Sequence, residues 1–363
     1  MEKFGFIIHP LDAKRDVARK YPIAKYLPES WIEWGMARKK PMEVSHITGI
    51  RSKTGVEAEG WLVGCPLTPK QMLELPVDFV YSRIIGAAKI AQELGAKIVG
   101  LGAFTSVVGD GGKTIAENVD IAVTTGNSYT IATAIEGALK AAALMDIDPD
   151  KASVAVVGAA GAIGRTCAEI MSRRTASLSL VGRSESPLQN MAEELRPKSK
   201  AEIIVSTDVE KGIRDADIVI AVSSAVDAII HPQHIKPGAV VCDVARPRDV
   251  SKRVIEERDD VLVIEGGVIA VPGDVDFRFN FGFPPKTAYA CMSETMMLAL
   301  DGCYESFTLG KEVSVRQVEE ISAIGAKHGF ELAGFRSFER AVTDEQIDTT
   351  RKAAKRKLAA SKL

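Results

Sequence analysis

Two sets of residues in this chain have the types and spacing that chemistry requires. The first is a glycine series, Gly158, Gly161 and Gly164, within the stretch SVAVVGAAGAIGRTCAEIMSRRTASLSLVGRS at 153–184. Side chains at such a turn would hold the backbone away from a pyrophosphate, and the N–H groups opening the next helix favour an anion. Gly158, Ala160, Gly161, Ala162, Ile163 and Gly164 are therefore the expected phosphate cradle. Arg183 and Ser184 close the following apolar run. An acidic residue there would accept the ribose 2′-OH of NAD, whereas a cation and a hydroxyl suit the 2′-phosphate of NADPH. Ser223 and Gly267, each just beyond a later strand, complete the expected cofactor contacts.

The second set centres on Cys291 in KTAYACMSETMMLAL, residues 286–300. A thiol in the opening turns of a helix is a candidate nucleophile, because the dipole there lowers its pKa. Glu294, three residues on, shares its face and opposes ionisation unless Lys286 or a distant base compensates. The plainer reading is a buried structural cysteine. Thr105 and Ser106 in LGAFTS, and Asn127 in TTGNSYT, each follow an apolar strand, and they are candidate donors to a negative oxygen. Asn127 or Ser128 serves equally as the N-cap of the helix after it.

The elements around these residues set the fold class. The glycine spacing is GxxGxxG, weaker than GxGxxG, but a strand-type run precedes it, a helical pattern follows, and Arg183 comes 19 positions after Gly164. Strand-type runs at 202–205, 218–222, 239–244 and 261–264 alternate with helical stretches, the pattern of a doubly wound parallel sheet. We expect an α/β protein: an N-terminal α/β substrate domain over 1–148, an NADP-binding Rossmann domain over 149–275, and a helical segment over 276–363 that carries Cys291 and packs back on the domain interface. In the first domain the spacing predicts a strand at 4–8, a hairpin across Arg51–Gly55, a helix over 80–94 stopped by Gly95, and strands at 97–103 and 120–123. Phe277, Phe279, Phe281 and Phe283 alternate, so an extended chain would aim four rings at one side, as acyl-channel lining or as plain core.

Composition excludes several classes. A net charge of −2 speaks against a dedicated nucleic-acid binder, and no apolar run approaches the roughly 20 residues needed to span a bilayer. The opening MEKFGFIIHP turns polar too soon for a secretory signal. Five cysteines without paired spacing read as reduced thiols of a cytoplasmic protein, and no HExxH or histidine cluster suggests a metal. Among the other cysteines Cys167, Cys242 and Cys303 read as structural; His9 and His46 stand alone and read as structural too. Ser361, Lys362 and Leu363 match a peroxisomal address that also arises by chance. The basic tail beyond Asp348 reads as a solvated, frayed helix end, or as a patch for an acidic carrier protein or an anionic membrane surface.

Six motifs in order resemble the long-chain acyl-ACP reductases of cyanobacterial alkane synthesis: LGAFTSVV at 101–108, TTGNSYT at 124–130, VAVVGAAGAIG at 154–164, GGV at 266–268, AYACMSETMMLALDG at 288–302 and KHGF at 327–330. The resemblance implies a shikimate-dehydrogenase-like architecture and NADPH-dependent reduction of a long-chain acyl thioester, on acyl carrier protein or CoA, to a fatty aldehyde. It implies that Cys291 is the acyl-bearing nucleophile, with Cys65, which lies near another cysteine of that family but in a loop before Pro66, as the second choice. The turn at 109–112, the VPGDVDFRFNFGFPP loop and the basic tail depart from that pattern and leave acyl length and carrier open. An alcohol dehydrogenase of the shikimate or quinate type, or a non-catalytic NADPH- and acyl-binding module, are the alternatives.

Overall fold

The run Phe4–Ile7 is buried and forms the middle of strand β1 (Glu2–Ile8) in the computed structural model, which describes residues 1–20, 22–280 and 282–360. With β2 (Met42–Arg51), β3 (Glu57–Gly64), β4 (Ile98–Leu101), β5 (Ala122–Thr124) and the strand Gly273–Asp276 it makes one six-stranded sheet. The spatial order is 273–276, β2, β3, β1, β4, β5, with β1 parallel to both β3 and β4. β2 and β3 form the expected antiparallel hairpin, turned by Gly55 at φ +88.

Two helices pack closely on this sheet, and its glycines let them. Helix Val77–Glu93 turns Val80, Ile84, Ala87, Ala88 and Ala91 inward, and a Cβ on Gly5 would lie 2.5 Å from that of Ala91. Helix Ala290–Leu300 is buried along its whole length except at Cys291, which is half-buried, and the residues it buries include the polar Ser293, Glu294 and Thr295. A Cβ on Gly100 of β4 would sit 2.0 Å from Thr295 Oγ1. This contact seats the cysteine-bearing helix on the sheet.

Strands β6 (Ser153–Val157), β7 (Ser177–Val181), β8 (Glu202–Ser206), β9 (Ile218–Ala221), β10 (Val240–Asp243) and β11 (Leu262–Glu265) form the second sheet, all parallel, in the order β11-β10-β9-β6-β7-β8. The chain starts at the centre, winds outward through β7 and β8, then returns to β9 and winds the other way. That is the doubly wound Rossmann order, with its switch point between β6 and β9. β6, β7 and β9 to β11 are nearly continuous buried runs, as a sheet covered on both faces requires.

The compact units cross the expected boundaries at 148/149 and 275/276. One unit comprises Met1–Tyr129, Ile269–Glu312 and Glu319–Glu331, the other Thr130–Val268, Val313–Val318 and Leu332–Leu363. The C-terminal segment is thus divided, because its helices have different apolar partners. The helix with Cys291 belongs to the first unit. Helix Asp344–Ala360 belongs to the second, where it buries Ile347, Ala353 and Ala354. Its cations pair at home: Arg351 and Lys355 with Asp146, Lys352 with Asp348, Lys357 with Asp259 and Asp260. The basic tail is therefore a docked helix over its described length, and Ser361–Leu363 lie outside the described residues.

The phenylalanine stripe does not form. The strand ends at Asp276, and Arg278 turns the chain at φ +47 with its N–H on Asp276 Oδ1. Phe277 is buried, Phe279 is exposed, Phe283 packs its ring on Tyr289, and Phe281 lies outside the described residues.

Candidate active site

Cys291 occupies the first turn of its helix, which begins at Ala290 after the short strand Thr287–Tyr289. Its sulfur faces the backbone N–H groups of Ala103, Met292 and Cys291 itself. Those donors favour a thiolate, but burial, joined by the Glu294 carboxylate, outweighs them and pushes the thiol up to about 11. Lys286 gives no help, since it pairs with Asp274 at 2.8 Å. Cys65 and Cys167, fully buried, are pushed up to about 12 by burial, and Cys242 is also raised. Among the five cysteines, Cys291 and Cys303 keep some exposure.

Residues far apart in sequence converge on this thiol. Gly126, at φ +74, lies so close that a Cβ on it would be 2.2 Å from the Cβ of Cys291. Asn127 follows it as the first residue of helix Asn127–Leu144 and is nearly buried. Ala103 opens the turn Ala103–Ser106 at φ +46, a conformation rare for a residue with a side chain. Here β4 stops at Leu101, short of the expected 103, because the chain turns to present that N–H. Chain neighbours of the predicted donors thus adjoin Cys291, Gly126 before Asn127 and Ala103 two residues before Thr105, while the Thr105 and Ser106 hydroxyls are committed, donating to Gly102 O at 2.8 Å and Ala103 O at 2.7 Å.

Two further residues hold the arrangement. Nε2 of His9 accepts the Phe104 N–H at 3.0 Å, and its Nδ1 lies 3.0 Å from Pro10 O, so a neutral ring pins the 103–106 turn. Burial pushes this histidine down to about 4. Glu294 is fully buried and accepts from Thr124 Oγ1 at 2.5 Å, Ser128 Oγ at 2.6 Å, the Tyr129 N–H at 2.8 Å and Thr308 Oγ1 at 3.2 Å. Its carboxyl is raised by burial, against which these hydrogen bonds work. It caps helix Asn127–Leu144 from outside, in place of the expected Asn127 or Ser128 cap, and ties the Cys291 helix to the TTGNS turn. The KHGF motif puts buried His328 between Ser52 Oγ at 2.7 Å and Asp301 Oδ1 at 3.0 Å, a structural link.

In the second unit the glycines do what a phosphate cradle needs. Gly158 turns at φ +87 directly after β6, and a Cβ on it would lie 2.8 Å from the Ser223 backbone. A Cβ on Gly164 would lie 2.2 Å from Gly158 O, so the turn and the helix close only over glycine. Gly161 is the N-cap of helix Ala162–Ser172 and provides no side-chain cap, which leaves the first-turn N–H groups for an anion. Ser223 is fixed by Asp249, whose carboxylate takes its N–H at 2.8 Å and its hydroxyl at 2.5 Å. Arg183 and Ser184 are exposed, and Ser184 makes no side-chain bond to the helix it precedes. Gly267 has a packing reason of its own, since a Cβ there would meet Thr133 Oγ1 at 2.2 Å. Among the described residues no group of three or more His, Cys, Asp or Glu could hold a metal ion, and no helix is long and apolar enough to cross a membrane.

Residues 139–265 match the shikimate/quinate 5-dehydrogenase family, a stretch that takes in the whole second sheet. Aminotransferase PigE of Serratia sp. (strain ATCC 39006) is 29% identical over 360 residues, covering 96% of this chain and 41% of that protein. This chain therefore spans well under half of that relative. The long-chain acyl-[acyl-carrier-protein] reductase of Synechococcus elongatus is 27% identical over 352 residues, covering 90% of this chain and 98% of that one. Shikimate dehydrogenase from Aquifex aeolicus superposes with a TM-score of 0.40 at 12% identity, over 89% of this chain and 97% of that one.

Proposed function

We propose that this chain is an NADPH-dependent reductase that converts a long-chain fatty acyl thioester, carried on acyl carrier protein or CoA, to the fatty aldehyde through an acyl group held on Cys291. The observation that carries this reading is the setting of Cys291: the residue is half-buried at a helix start, its Cα and Cβ lie against Gly126, and its thiol is faced by the Ala103 N–H. The similarity to a reductase of that name along 90% of this chain supports it.

In the first step a bond forms between the Cys291 sulfur and the acyl carbon, and the bond to the carrier sulfur breaks. The thiol proton leaves with the carrier thiol, so the exchange is balanced. The carbonyl oxygen turns negative on addition and needs donors, a role that falls to the Asn127 amide and the backbone N–H groups beside Cys291. Thr105 and Ser106 shape the turn that presents Ala103. A bound reduced nicotinamide cofactor would supply a hydride to the acyl carbon; the bond from that carbon to the Cys291 sulfur then breaks, the aldehyde leaves, and the sulfur takes a proton from water to restore the thiol. Gly158, packed on the Ser223 backbone, and the backbone at 160–164 would hold its pyrophosphate, and the exposed Arg183 and Ser184 would take the 2′-phosphate, the basis for proposing NADPH over NADH.

One observation favours a second reading. A thiol pushed up to about 11 suits an inert cysteine, and with the family match at 139–265 it points to an NADP-linked alcohol dehydrogenase. Intact-protein mass spectrometry with palmitoyl-CoA, first without NADPH, separates the two. The reductase forms an acyl adduct that maps to Cys291 and is released as aldehyde when NADPH is added. No adduct with CoA or carrier-protein thioesters, together with polyol oxidation that survives Cys291→Ala, establishes the dehydrogenase instead.

A further inference from the structure

Between β1 and β2 the first unit carries a helical excursion, helix Ala13–Lys20, a short turn Pro22–Tyr26 and helix Glu29–Arg38. It has its own small core of Ala13, Ala18, Ala24, Ile32 and Met36. Ile32 and Met36 point into that core, while Trp31 and Trp34, three apart on the same helix, are 68% and 62% exposed. The turn repeats the pattern: Ala24 is buried, and Ile23 and Tyr26, again three apart, are 69% and 86% exposed. Large apolar side chains this open, gathered within a dozen residues, mark a surface built to meet something apolar.

The charge around them is one-sided. Residues 12–40 hold eight Lys or Arg against four Asp or Glu, in a chain of net charge −2. Three of the four acids turn to local partners: Asp12 and Asp16 accept backbone N–H groups of their own turn, and Glu33 accepts the Thr68 hydroxyl. The Arg38 guanidinium lies 3.7 Å over the Trp34 ring, so cation and indole are presented together.

We infer that this excursion is a membrane-surface docking element that seats Trp31, Trp34, Ile23 and Tyr26 at the headgroup level of a bilayer containing anionic lipid. Indole and phenol rings favour that interface, and each nearby cation adds attraction to anionic headgroups. Two of the three tryptophans of the chain lie in this element, and the third, Trp61, is buried and stacked on His46. Tryptophan emission therefore reports docking directly.

The test titrates the full chain with vesicles of phosphatidylcholine, with and without phosphatidylglycerol. We expect binding to the anionic vesicles, emission shifted to shorter wavelength, quenching by brominated acyl chains, and release by added salt. Sedimentation affinity should fall about tenfold for each of Trp31→Ser and Trp34→Ser, the scale of one large side chain leaving an apolar setting. Nucleotide binding should be unchanged, because both side chains lie outside the core. Absence of vesicle binding, equal binding by the double variant, or an emission shift with an acidic carrier protein and none with vesicles would overturn the inference.

Discussion

Replacing Gly126 by alanine tests the link between the TTGNS turn and Cys291 most directly. At φ +74 an alanine is strained, at about 1–2 kcal/mol. Its Cβ would also lie 2.2 Å from Cys291 Cβ and 2.4 Å from Cys291 Cα, where ordinary contact begins at 3.4 Å. One of these is a backbone atom, so no rotamer change removes the overlap. The start of the cysteine helix must retreat by about an ångström while Glu294 holds it to Thr124, Ser128 and Tyr129, and overpacking of that kind costs about 1–3 kcal/mol more.

Gly55→Ala is the matched control, since Gly55 has the same left-handed backbone at φ +88 with nothing within 4 Å of a Cβ. Urea unfolding should show Gly126→Ala destabilised by about 2–5 kcal/mol and Gly55→Ala by about 1–2 kcal/mol. Acyl transfer to Cys291, followed by mass spectrometry, should slow about 100-fold in the first variant, the usual consequence of a 1 Å misplacement, and stay at the wild-type rate in the second. Equal stabilities and equal acylation rates for the two variants would refute the claim that this contact positions the thiol.

Other perturbations reach other parts of the arrangement. With the thiol near 11, iodoacetamide labelling of Cys291, read by peptide mapping, should quicken about tenfold per pH unit from 7 to 10; a plateau below pH 9 would mean a more acidic thiol. His9 is held near 4 against 6.5 when unfolded, so below pH 6.5 the unfolded chain binds the extra proton and stability is lost progressively down to about pH 4. His9→Gln, which keeps an acceptor for Phe104, should remove roughly 3 kcal/mol of that acid sensitivity in denaturation midpoints compared between pH 7 and 4. In the second unit, Gly164→Ala should weaken NADPH binding at least about tenfold by fluorescence titration, because its Cβ meets Gly158 O at 2.2 Å. Arg183→Glu should reverse the cofactor preference by about 10- to 100-fold towards NADH, the worth of one charge-assisted bond; an unchanged preference would remove Arg183 from the 2′-phosphate site.

Legibility followed distance along the chain. The second sheet and its glycine turn could be read because each requirement is local: a buried run, a glycine at the turn, a helix start. The surroundings of Cys291 could not, since Gly126, Ala103 and His9 are brought to it only by the pairing of β1, β4 and β5. Glu294 shows why. From its own helix it is a like-charged neighbour that hinders the thiolate, and it does so. Its larger task lies 165 positions earlier, at the start of another helix, where it replaces the cap that a local rule assigns to Asn127 or Ser128. A buried carboxylate needs several donors, and an uncapped helix start beside three hydroxyls supplies them, so the long-range partner displaces the short-range one. The phenylalanine stripe fails for the converse reason: alternation implies one face only while the chain stays extended, and a single left-handed residue, Arg278, ends that condition. The sign that was available is in TTGNS, where a glycine stands immediately before a helix start. There a positive φ and an absent side chain both serve close approach, and Gly126 meets both conditions against Cys291.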